Sequence, residues 1–192
     1  MMRLEYLSLK WRVIGWLVLG RHAQALGVFD RLLQRWPDDA YGLSSRAHLH
    51  AQAGRFEQAL VDNERWVKVA EDNAHAWFNR GFLLESLERF EEALASFVRA
   101  TELAPKLDRA WYGQGLALIR LQRYDEAVAA LKRNTELQPM SPYGWYQLAR
   151  VHVDRREPEE AVKIIRHLKG FEPKVAAQLE RETGLLAGAP TR

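Results

Sequence analysis

A 34-residue period constrains this chain more than any other feature. The stretch from Ala74 to Leu107 carries Trp77, Gly81 and Leu84 at helical spacing, a break near residues 87–89, then Ala93, Phe97 and Ala100 at the same spacing. Pro105 stops the second helix, because proline lacks the amide hydrogen and disfavours helix at the residue before it. Thirty-four residues on, the pattern returns as Trp111, Gly115, Leu118, Ala127, Leu131 and Pro139. The spacing predicts a repeat protein built from pairs of amphipathic helices.

The frame runs along the chain without insertion as five units: 6–39, 40–73, 74–107, 108–141 and 142–175. An alanine opens the core face of the second helix in all five, as Ala25, Ala59, Ala93, Ala127 and Ala161. The small residue of the first helix is Ala47, Gly81, Gly115 and Ala149 in units two to five. The closing proline is Pro37, Pro105, Pro139 and Pro173, with Glu71 the departure. Trp77-x2-Arg80-Gly81-x2-Leu84, followed by Ala93-x3-Phe97-x2-Ala100 and Pro105, resembles the tetratricopeptide repeat, a helix–turn–helix unit of 34 residues. The resemblance implies an all-α, right-handed α-solenoid of five repeats. The residues after Pro173 are expected to form a capping helix over 174–186, completing one solenoid over 1–187, with 188–192 a flexible tail.

Composition agrees with that fold. Of 192 residues 47% are hydrophobic, enough for a continuous core. The formal charge is +3 and no unit departs from neutrality by more than two charges, so no face is basic enough to predict nucleic-acid binding. Cysteine is absent, which excludes a disulfide framework, a thiol nucleophile, a cysteine zinc site and an acylated N-terminal cysteine.

The first unit can be read two ways. Lys10 and Arg12 precede an apolar run, Val13 to Gly20, with Ala23-Gln24-Ala25 beyond it, which resembles a signal peptide and cleavage site. The run is short and Arg21-His22 follow it at once, while Trp16, Ala25, Phe29 and Pro37 fall in the repeat frame, so a first repeat is the favoured reading. A membrane span needs ~20 apolar residues and is not expected. The chain is expected in the cytoplasm, or in the periplasm as an exported adaptor if the leader reading holds.

Unit 40–73 is the least regular. His50 and Asn63 stand where Leu84 and Phe97 stand in the next unit, and Trp66 replaces a small alanine, which points to the indole filling space left by shorter neighbours. Gly54 falls at the turn, where a positive φ is often needed. Pro158 falls at the start of a second helix, where proline is tolerated.

No catalytic constellation emerges. The histidines, His22, His48, His50, His75, His152 and His167, include no H-x3-H pair and read as isolated surface or half-buried residues. Glu91-Glu92 and Glu159-Glu160 look like paired carboxylates, but they open second helices, where they favour the helix dipole. Neither a G-x-S-x-G turn nor a phosphate-cradling glycine loop is present, and the seven tryptophans sit mostly at packing positions. No enzyme activity, cofactor or metal is expected.

What remains is the surface. The resemblance implies that first helices line a concave groove and that positions 2, 5, 6, 9, 12 and 13 of each unit face it. The groove residues it implies are His48, His75, Phe78, Asn79, Phe82, Arg109, Tyr112, Tyr143, Tyr146 and Arg150, with Lys10, Tyr41, Ser44 and Leu116 beside them. Aromatics at solvent-facing positions with interspersed arginine are typical of binding sites. Sideways packing of Phe78, Phe82 and Tyr112 between neighbouring helices is the other reading. Some family members clamp a chaperone tail's carboxylate; of the five positions that clamp needs, Ser44, His48, Asn79, Arg109 and Gly113, only Asn79 and Arg109 match, so chaperone-tail binding is not predicted. The expected function is a non-catalytic interaction module for a protein or peptide, with an acidic ligand favoured by Arg109 and Arg150. The alternative is a structural subunit or assembly factor of a larger complex.

Overall fold

Each apolar stripe of the sequence becomes a helix. A computed structural model describes residues 2–188, and among these it contains eleven helices and no strand. The chain divides into two units between Glu88 and Arg89. The first holds α1 (Met2–Val18), α2 (His22–Arg35), α3 (Ala40–Gln52), α4 (Phe56–Val69) and α5 (Ala74–Ser86). The second holds α6 (Phe90–Leu103), α7 (Asp108–Arg120), α8 (Tyr124–Leu137), α9 (Pro142–Asp154), α10 (Pro158–Lys169) and α11 (Pro173–Thr183). No helix among the described residues is long and apolar enough to cross a membrane.

The turns repeat with the same period as the helices. Gly20, Gly54, Glu88, Gln122 and Arg156 all have left-handed φ, between 58° and 71°, each 34 residues after the last. A left-handed residue lets the following amides reach back to the last helical carbonyls. Thus Gly54 N–H donates to Ala51 O at 3.0 Å and Arg55 N–H to His50 O at 2.9 Å, and Gln122 and Arg123 repeat the pattern on Ile119 and Leu118. Helix starts are fixed locally as well. Asp39 accepts from Gly42 N–H at 2.6 Å, Asn73 caps α5, and Pro142, Pro158 and Pro173 open α9, α10 and α11.

The alanines that open the second-helix core faces, from Ala25 to Ala161, are fully buried in all five helices. In the first unit, Val13 of α1 joins Phe29, Leu32 and Leu43 in one apolar cluster, so part of the leader-like run is core. In the second unit, helices approach closely at glycines of α7 and α9. A Cβ on Gly113 would lie 2.6 Å from the Phe97 ring, and one on Gly115 would lie 2.7 Å from Leu131. The first-unit core is reinforced by Arg46, which grips buried Asp62 through two nitrogens at 2.8 and 2.6 Å and reaches Asp30 at 2.7 Å.

The irregular unit behaves as size compensation requires, at a polar cost. Trp66 is buried among the core residues and Asn63 is completely enclosed. Neither amide atom of Asn63 has a hydrogen-bond partner, and the Nδ1 of half-buried His50 has none either. Burial, with Arg55 nearby, pushes the His50 imidazole below its ordinary range. Three tryptophans are less interior than their positions imply: Trp77, Trp111 and Trp145 are half-buried. The indoles of Trp77, Trp111 and Trp145 instead donate to the carbonyls of Glu71, Pro105 and Pro139 at 2.8, 3.0 and 2.9 Å, tying three first helices to the loops that precede them.

Beyond the repeat frame, α11 packs on α9 and α10 with Ala176 and Leu179 buried. The helix ends at Thr183 rather than 186, because Gly184 takes a left-handed conformation; Leu186 lies beyond it, exposed. The chain then turns back: Ala187 N–H donates to Glu180 at 2.8 Å, and Lys169 binds both Glu180 and the Ala187 carbonyl. Of the expected tail, Gly188 is exposed and 189–192 lie outside the described residues.

Candidate functional site

In the second unit the first helices α7 and α9 pack side by side, and α11 lies against α9. α7 carries Arg109, exposed, and Tyr112, half-buried. α9 carries Tyr143 and Arg150, both exposed, and Tyr146, half-buried. The 34-residue period places Arg109 and Tyr143 at one repeat position and Tyr112 and Tyr146 at another, so the two helices offer the same turns of their surface. None of these five side chains is buried.

The geometry adds a residue that sequence reading did not place here. Glu182 of α11 accepts a hydrogen bond from the Tyr146 hydroxyl at 2.6 Å, and the Arg150 guanidinium lies 3.4 Å from the same carboxylate oxygen and 3.3 Å from the Tyr146 oxygen. Gln178, one turn earlier on α11, also donates to Glu182, at 2.8 Å. Hydrogen bonding from Tyr146, then from Gln178, holds the Glu182 carboxyl below the usual range; bonding to Tyr146 raises Arg150. The chain therefore supplies its own acidic group to one of the two arginines expected to select an acidic ligand. Glu182 lies 36 residues from Tyr146 with no motif to link them, so the sequence carried no signal for the pair.

In the first unit, α3 presents His48, exposed, and α5 presents His75, Phe78, Asn79 and Phe82. His75 and Phe82 are exposed; Phe78 and Asn79 are half-buried. Lys10, from α1, is drawn over aromatic rings instead, with its Nζ 4.3 Å from the Tyr41 centroid and 5.4 Å from that of Tyr6.

Several titratable groups are engaged structurally. His152 is buried rather than half-exposed, with Nδ1 2.7 Å from Glu157, and Arg155 bridges Glu157 and Asp125 at 2.9 Å each. His167 packs against Trp145 and Phe171. Glu92 pairs with Arg89 through two bonds of 2.7 Å, and Glu160 pairs with Lys163 at 2.5 Å. Among the described residues no group of three or more histidine, cysteine, aspartate or glutamate side chains is arranged to hold a metal ion.

Repeated helix pairs that set aromatic and charged side chains along their first helices define a protein-interaction scaffold. The tetratricopeptide-repeat family profile matches residues 17–68, 45–108, 83–139 and 112–170. This chain belongs to the tetratricopeptide-repeat family. Solved structures with the same fold include MamA, 16% identical over 97% of this chain and 98% of that one, with a TM-score of 0.81. MamA from Desulfovibrio magneticus is 19% identical over 92% and 96% of the two chains, with a TM-score of 0.80. YrrB, described as a tetratricopeptide-repeat protein with an unusual peptide-binding site, is 19% identical over 88% of each chain, with a TM-score of 0.79. No curated protein matches the sequence.

Proposed function

We propose that this protein is a non-catalytic adaptor that holds an extended or helical segment of a partner protein on its first-helix surface. The observation that carries the reading is the α7–α9 face, where Arg109, Tyr112, Tyr143, Tyr146 and Arg150 all keep solvent-accessible area in one unit. Exposed aromatics interspersed with arginine are the composition of binding hot spots, since rigid rings give large contact area and guanidinium pairs with carboxylates through two bonds. On α5 of the first unit, taken by itself, Phe78 and Phe82 would offer apolar contact and Asn79 a hydrogen bond to a ligand backbone. The peptide-binding site for which YrrB is described is in keeping with this use of the fold.

Glu182 refines the ligand class. At Arg150 an acidic ligand must replace the chain's own carboxylate. Selection for acidic segments is assigned to Arg109 and Arg150, with Tyr112 as the apolar anchor. Pull-down of partners from native extract, followed by titration of the recovered segment against the parent and Tyr112→Ala, tests the reading. Stoichiometric recovery of one large complex that both forms enter equally well would instead make the chain a structural subunit.

A further inference from the structure

Helix α1 is apolar on two faces. Leu9 and Val13 are buried and Tyr6, Trp16 and Leu17 half-buried against the rest of their unit. On another side, Leu4, Leu7, Trp11, Ile14 and Val18 are 73, 44, 70, 40 and 81% exposed. Their steps of three, four, three and four residues form one straight stripe, the two-in-seven seam of a coiled coil. The outer side of α11 is polar, with Lys174, Gln178 and Arg181 exposed; that of α1 is not.

We propose that the α1 stripe is the seam of a homodimer, packed along α1 of a second copy of this chain. This inference concerns a different surface from the α7–α9 face and does not depend on it. Three observations favour a second copy as the occupant. First, the stripe is complementary to itself. In a two-fold antiparallel pairing Leu7 meets Val18 of the other copy and Trp11 meets Ile14, each contact made twice. Second, the flank beside the seam is small. Ser8 borders it, and a Cβ on Gly15 would meet nothing within 4 Å, so a second helix backbone can approach closely. Third, the area suffices: covering Leu7, Trp11, Ile14 and Val18 on each copy, with the flanking Ser8 and Gly15, buries roughly 1,000 Å² in total, the lower bound for a specific contact.

The surrounding charge argues against a lipid surface. Lys10 lies over the rings of Tyr41 and Tyr6, and Arg21 lies over Trp16 with its guanidinium carbon 5.8 Å from the ring centroid. Arg12, Arg31 and Arg35 gather with Glu5 in a separate cleft between α1 and α2. Among the described residues these cations are thus drawn to the chain's own rings and to the cleft with Glu5 rather than ranged along the stripe, where an interfacial helix would need them to meet anionic headgroups.

Sedimentation velocity of the full chain over a wide concentration series reads the proposal directly. The parent should move from 22.2 kDa to twice that mass as concentration rises. Trp11→Glu and Ile14→Lys should each weaken dimerisation at least tenfold, and Arg31→Glu, outside the seam, should not. Circular dichroism verifies that the variants fold. Because the chain has no cysteine, Gly15→Cys offers a second readout: its two copies lie about 7.5 Å apart along the seam, so a short bismaleimide should link them covalently, whereas Ala177→Cys on α11 should stay monomeric. A parent monomeric throughout the series overturns the proposal, as does a dimer that survives both seam substitutions. A monomeric parent that floats with phosphatidylserine vesicles would overturn it in favour of a membrane surface.

Discussion

The Tyr146 hydroxyl donates to the Glu182 carboxylate at 2.6 Å, and this bond fastens the outer edge of α11 to the surface of α9 on which a ligand is proposed to lie. Arg150 leans on the same oxygen at 3.4 Å, so the pair also occupies an arginine that would otherwise be open to a partner's carboxylate.

Removing that carboxylate should release Arg150. In Glu182→Ala, binding of an acidic partner segment is expected to tighten, because a partly exposed ion pair no longer competes for the guanidinium. Fold stability should change little, because α11 is held mainly by buried Ala176 and Leu179. Isothermal titration beside thermal melting separates the two effects. Unchanged affinity would mean that Arg150 takes no part in recognition.

The left-handed turn residues give a prediction about stability. Glu88, Gln122 and Arg156 occupy the conformation that Gly20 and Gly54 occupy in the first two turns. A side chain there crowds the following carbonyl, a strain glycine does not have. Each substitution to glycine should therefore stabilise the fold by about 0.5–1 kcal/mol, the remainder after the added flexibility of the unfolded chain. Urea titration checks this, with Gln58→Gly on α4 as a control that should lose about 1 kcal/mol.

Buried Asn63 has neither its amide nitrogen nor its oxygen partnered. Burying an unsatisfied amide costs about 1–3 kcal/mol, so Asn63→Leu, close in shape, should raise stability by about 1–2 kcal/mol. Phenylalanine, the residue at the matching position 97, should do worse, since Trp66 already fills the space a ring would need. Differential scanning calorimetry of the two variants gives the order.

Much of the fold was legible because a repeat states its rule five times. Ala25, Ala59, Ala93, Ala127 and Ala161 are small because two helices meet there, and each is fully buried. Gly54 announced its turn because the turn needs a positive φ; Glu88, Gln122 and Arg156 adopt the same φ without the residue type that signals it. The indole bonds were hidden for another reason, since a tryptophan at a packing position looks the same whether its ring is interior or capped by a loop carbonyl. At the candidate site, period and resemblance picked out side chains that retain exposure, such as Tyr143 and Arg109. They could not show that α11 would bring Glu182 to Tyr146, because that contact joins the last repeat to a helix outside the repeating pattern.

The most direct test is the affinity of a recovered partner segment for Tyr112→Ala and Arg109→Glu, measured by titration calorimetry with the melting temperature of each variant taken alongside. A binding face predicts a loss of about 1–3 kcal/mol for each, the usual range for a central anchor, with melting almost unmoved. Binding as tight as the parent's in both variants would contradict the assignment of the α7–α9 face, and a large fall in melting temperature with Tyr112→Ala would make that ring a packing residue instead.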